Sequence, residues 1–61
     1  MKSRIEKIQE QIKESNKIIE KLTLKLQHED DDYEQIQIKN NIGLEKKFLS
    51  ECEERLEELS N

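Results

Sequence analysis

Isoleucine and leucine recur along the first half of the chain at alternating steps of three and four residues. The repeat is a heptad in which the first and fourth positions, a and d, face a partner helix. Its a positions are Ile5, Ile12, Ile19 and Leu26, and its d positions are Ile8, Ser15 and Leu22. This spacing places the side chains on one face of an α-helix. It predicts an amphipathic helix over about residues 4–28.

A second apolar stripe begins after residue 36 in a different phase. It consists of Ile38, Ile42, Glu45, Leu49, Cys52, Leu56 and Leu59. If the first frame continued, Asn40 and Gly43 would occupy core positions, which favours a break between the two stripes. The pattern predicts a second helix over about residues 32–59.

The aspartate-rich stretch between the stripes, LQHEDDDYEQ, is the expected turn, over about residues 28–32. Folding the chain back there matches Ile5 with Leu56, Ile8 with Cys52, Ile12 with Leu49, Ser15 with Glu45, Ile19 with Ile42, and Leu22 with Ile38. Five of these six layers are apolar on both sides, and the polar residues of the two stripes meet each other. Ser3 and Asp31 stand where N-caps are needed, each followed three residues later by glutamate. The sequence therefore predicts an antiparallel helical hairpin of the coiled-coil type.

Two other architectures stay open at this point. Asparagine and glycine favour helix ends, so NNIG, residues 40–43, is a second candidate turn. It would leave arms of very unequal length and would lose the layer match. The other alternative is one continuous helix in a parallel coiled coil.

Composition agrees with an all-α chain in a single domain, residues 1–61. Charged residues make up 43% of the 61 residues and hydrophobic residues 31%, with one glycine and no proline. The net charge of −4 is low for a disordered chain of this polarity. Residues 1–28 carry seven basic and four acidic side chains, whereas residues 29–61 carry four and eleven. A hairpin would set the basic arm beside the acidic one.

Candidate chemistry is sparse, so we expect neither an enzyme nor a metal or cofactor site. Asp30, Asp31 and Asp32 lack the alternating ligand spacing of a calcium loop and are expected to form the turn. Cys52 falls at a core position between glutamates, unlike a reactive thiol. His28 suits the negative end of the first helix. With no apolar run longer than two residues and a lone cysteine, the expected protein is cytoplasmic and does not span a membrane.

Six large apolar residues lie outside the two stripes, where a lone hairpin would leave them exposed. They are Ile18, Leu24, Tyr33, Ile36, Leu44 and Phe48. Wide apolar faces are typical of four-helix bundles, which two hairpins can form together. We therefore expect a homodimer, its hairpins parallel or antiparallel, or a protein partner bound at these residues. The expected function is a non-enzymatic interaction module, a bacterial or phage regulator or adaptor acting through helix packing.

A ridge of lysines on the first helix supports an alternative function, and its members are Lys13, Lys17, Lys21 and Lys25. The chain length, the aspartate-rich midpoint and the paired heptads resemble the Rop family of plasmid proteins. That resemblance implies a hairpin that dimerises into a four-helix bundle and binds paired RNA loops. The first helix has no aromatic residue, which Rop-like RNA binding uses, so nucleic acid is the less favoured partner.

Overall fold

The computed structural model describes residues 1–60 and consists of two helices that pack against each other. Helix α1 spans Arg4–Gln27 and helix α2 spans Asp32–Ser60. The two helices together measure 44 × 18 × 13 Å. The longest dimension is the length of one helix, whereas a single continuous helix of the whole chain would be about twice as long. The predicted helical hairpin is thus confirmed, and the continuous coiled coil is wrong.

The aspartate-rich stretch forms the turn because both helix ends find hydrogen-bond partners there. At the end of α1, the His28 N–H bonds to the Lys25 carbonyl at 3.2 Å. Asp31 caps α2, since its Oδ1 accepts from the Tyr33 N–H at 2.9 Å. The Gln35 side-chain amide, in the first turn of α2, donates to the carbonyl of Glu29 between the two helices at 2.7 Å. These bonds satisfy backbone groups that a helix end otherwise leaves free.

Helix α2 continues without interruption through Asn40, Asn41 and Gly43, so the alternative turn at NNIG is wrong. Gly43 does not adopt a positive φ. A glycine inside a helix costs only about 1 kcal/mol relative to alanine. Packing of Ile42, half-buried against α1, outweighs this local preference.

The core is a narrow seam between the helices, formed by the predicted stripes. Ile8, Ile38, Cys52 and Ser15 are buried, and the a-position aliphatics are half-buried. The Ser15 hydroxyl donates to Glu45 Oε1 at 3.0 Å, which confirms the predicted polar layer.

The last residue of the second stripe, Leu59, is the exception, because 41% of it is exposed. Leu59 lies further from the turn of the hairpin than Arg4, the first residue of α1, so no turn of α1 packs over it. At this same end Ser3 caps α1, its Oγ accepting from the Glu6 N–H at 3.2 Å.

Candidate functional site

The six off-stripe apolar residues are all exposed in the hairpin. Their exposed fractions range from 38% for Ile18 to 68% for Leu44. Each is held on a helix, so the backbone that positions it is fixed by the helical hydrogen bonds. These residues are available for contact with another molecule.

Three of them share one side of the hairpin. In an antiparallel pair the g positions of both helices line one side and the e positions line the other. Ile18 and Phe48 are g positions, and Leu44, at c, is one turn before Phe48 on the same side. We refer to the c and g positions of both helices as the Leu44 face, with Ile18, Leu44 and Phe48 as its apolar centre.

The other three residues point elsewhere. Ile36 is a b position, on the opposite side of the hairpin from Leu44. Leu24 and Tyr33 are f positions, which point away from the partner helix. The six residues therefore do not form one continuous surface, although the sequence suggested a common interface.

A shallow groove lies on the Leu44 face at the open end of the hairpin. Its lining contains three basic residues, Arg4, Lys7 and Arg55, and one carboxylate, Glu58. Ile8, Gln11 and Leu59 complete the lining. The groove lies between g positions of both helices, Arg4 and Gln11 on α1 and Arg55 on α2, and includes the exposed Leu59. Sequence reasoning missed it because matching the layers considers the a and d positions, whereas c and g positions form most of the groove.

The lysine ridge on α1 is solvent-exposed. Lys13, Lys17, Lys21 and Lys25 have no carboxylate of residues 1–60 within 4 Å, since the ion pair in that range joins Lys2 to Glu10. Successive members are four residues apart and so turn by about 40° per step around the helix. The ridge winds from one side of the hairpin to the other and does not present four cations in one straight line.

Two of the residues considered as candidates for chemistry have structural roles in the fold. Asp31 is the cap of α2, and Cys52 is buried, with its Sγ 3.9 Å from Gln11 Oε1. Within residues 1–60 no three His, Cys, Asp or Glu side chains converge as metal ligands would. In the same range, neither helix has the length and apolar content needed to cross a membrane.

Comparison with known proteins adds no relative. No protein-family model matches the chain, and neither a curated protein nor a solved structure matches it.

Proposed function

We propose that the hairpin is a non-enzymatic interaction module that acts through helix packing, as a cytoplasmic regulator or adaptor. Its basic assembly is a homodimer in which two hairpins form a four-helix bundle, and this bundle presents helical faces to a protein partner. The observation that carries the proposal is the exposure of large apolar side chains on a regular two-helix scaffold.

The small core of a single hairpin supports association. Ile8, Ile38 and Cys52 are its buried apolar residues within the described range. A chain of this length has difficulty offsetting its conformational entropy with one small core. Each additional Å² of apolar surface removed from water contributes about 25 cal/mol, so packing a second hairpin on the first would stabilise both.

Sedimentation equilibrium tests the proposal by measuring mass against protein concentration. We expect a species of twice the 7.4 kDa chain mass that dissociates on dilution. The double variant Ile36→Lys/Leu44→Lys places a charge on both sides of α2 and should sediment as a monomer. Its helicity by circular dichroism should persist, because both positions are exposed.

A matched variant, Asn40→Lys/Ser50→Lys, adds the same two charges at exposed polar positions of the same helix outside the Leu44 face. It should remain dimeric. A wild-type chain that stays monomeric up to millimolar concentration would contradict the dimer. Equal loss of assembly in both variants would show that added charge, and not apolar contact, is responsible.

A further inference from the structure

We infer that the groove at the open end of the hairpin binds a small amphipathic carboxylate. The anionic group of this ligand lies between Arg4 and Arg55, and its apolar body lies against Ile8 and Leu59. The inference goes beyond the proposed function and does not depend on self-association. Three features support it: two facing arginines, the absence of a carboxylate partner for them within residues 1–60, and the apolar part of the groove lining.

Arg4 and Arg55 face each other across the seam between the helices. Ser15 and Glu45 hydrogen-bond in one layer, and Arg4 is eleven residues before Ser15 while Arg55 is ten residues after Glu45. At about 1.5 Å per residue, both arginines lie about 15–16 Å from that layer and so at nearly the same level. Both are g positions, which line the same side of an antiparallel pair, and both line the groove. Two cations placed in this way repel each other.

The other layers that flank the seam contain no second pair of like charges within residues 1–60. The same register sets the remaining g positions opposite each other as Lys25 with Glu34, Gln11 with Phe48, and Ile18 with Asn41. At the e positions, on the opposite side of the hairpin, each charged residue faces a neutral one. The repulsion between Arg4 and Arg55 is therefore a particular property of the groove.

The basic residues of the groove have no carboxylate of residues 1–60 within 4 Å. The salt bridge found in that range joins Lys2 to Glu10, neither of which lines the groove. The lining itself contains three cations and the single carboxylate of Glu58. A carboxylate bound between the two guanidinium groups would relieve their repulsion and could accept charge-assisted hydrogen bonds from both.

The apolar part of the lining determines the class of anion. Ile8 is 8% exposed and Leu59 is 41% exposed, and both line the groove beside the arginines. An inorganic anion would leave Leu59 in water, whereas an attached apolar body would cover it. The volume of the groove, about 420 Å³, lies within the range of about 300–1,000 Å³ that small-molecule sites occupy.

The extent of the groove limits the length and charge of the ligand. Along α1 the lining runs from Arg4 to Gln11, about 10 Å. Glu14 and Glu51, the next charged c positions toward the turn, are not part of the lining and would repel a second carboxylate. We therefore expect a monocarboxylate with a short apolar chain, such as a short-chain fatty acid.

Titrations with three related probes, followed by ¹H–¹⁵N NMR of the whole chain, test the inference. Hexanoate has both the carboxylate and the chain, acetate has the carboxylate alone, and hexanamide has the chain without the charge. Hexanoate should shift amide signals within residues 4–11 and 55–59. The four additional methylenes, half-buried in an open groove, should make its binding about tenfold tighter than that of acetate. Loss of the charged hydrogen bonds should weaken hexanamide binding by about tenfold.

Variants separate the charged part of the site from the apolar part. Arg4→Gln/Arg55→Gln changes two exposed positions, so helicity should persist, and it should weaken hexanoate binding by about tenfold or more. Lys17→Gln/Lys47→Gln removes the same charge at exposed f positions and should bind hexanoate as the wild type does. Leu59→Asn should weaken the binding of hexanoate but not that of acetate.

Each contrary outcome overturns a stated part of the inference. Equal binding of acetate and hexanoate would overturn the amphipathic class, and equal binding of hexanamide and hexanoate would overturn the role of the arginines. Equal loss in the two double variants would show that total charge, and not the groove, attracts the anion. No localised shifts at about 10 mM hexanoate would overturn the site itself. The proposed self-association would be unaffected, because sedimentation tests it separately.

Discussion

Gly43 lies in the interior of α2, and a Cβ added there would meet no atom within 4 Å. Its backbone is helical, so the position does not need the conformational freedom of glycine. In a helix interior that freedom destabilises the folded state, because it is lost on folding. Gly43 is also a b position, away from the Leu44 face.

The variant Gly43→Ala should therefore raise the free energy of unfolding by about 0.5–1 kcal/mol. For a domain of this size that corresponds to an increase in Tm of about 2–8 °C. Thermal unfolding followed by circular dichroism measures it. Sedimentation should show an unchanged dimer, whereas weaker assembly would mean that a neighbouring molecule packs against Gly43.

Ser15 is 1% exposed, and its hydroxyl is satisfied by Glu45 on the facing helix. A buried polar pair of this kind stabilises little, but a shifted register would leave both groups buried without a partner. The sequence predicted this layer because the polar residues of the two stripes fall at equal distances from the turn.

At the scale of elements, the start of α2 depends on a single carboxylate. The Asp31 side chain accepts from the Tyr33 N–H, and the Asp31 carbonyl accepts from the Gln35 N–H. The neighbouring Asp30 carries the same charge in the same turn. No side-chain hydrogen bond of Asp30 is found within residues 1–60, so it provides a matched comparison.

Replacing Asp31 with alanine should lower the free energy of unfolding by about 1 kcal/mol, because an N-cap is lost. Asp30→Ala relieves the same charge repulsion without removing the cap and should be neutral or slightly stabilising. Urea unfolding of both variants measures the difference. Equal effects would show that charge alone, and not capping, governs the turn.

The sequence predicts an element well when the residues that determine it are close together along the chain. Heptad spacing and the caps at Ser3 and Asp31 are local, and they define both helices and the turn. The path of α2 through Asn40 and Gly43 is not local, because it depends on packing against α1. The groove beside Arg4 and Arg55 is harder still to predict, because it depends on how the residues that flank the seam are arranged after the two helices have packed.

At the scale of the whole molecule, charge determines which partners can approach. The chain carries a net charge of −4, and most of the excess acidic residues are on the second helix. A polyanion is repelled by such a surface except along α1. There the lysine ridge winds around the helix, so its four cations do not lie on one face.

We therefore expect no nucleic-acid binding at about 150 mM salt, where such contacts are screened. A gel-shift titration against total host RNA and plasmid DNA checks this. Retardation at low micromolar protein that weakens about tenfold between about 50 and 200 mM salt would favour RNA binding instead. In that case Lys17→Glu/Lys21→Glu should abolish the retardation, while Lys46→Glu/Lys47→Glu on α2 should not.

The short link between the helices, residues 28–31, also orders the events of folding. Because closing so small a loop costs little entropy, the first contacts between the arms form next to the turn and then extend toward the open end. The cap at Asp31 lies where this process begins, and the cap at Ser3 lies where it ends. Loss of the Asp31 cap should therefore slow folding, whereas loss of the Ser3 cap should mainly speed unfolding. Stopped-flow traces of Asp31→Ala and Ser3→Ala would show these two effects on opposite limbs of the chevron plot.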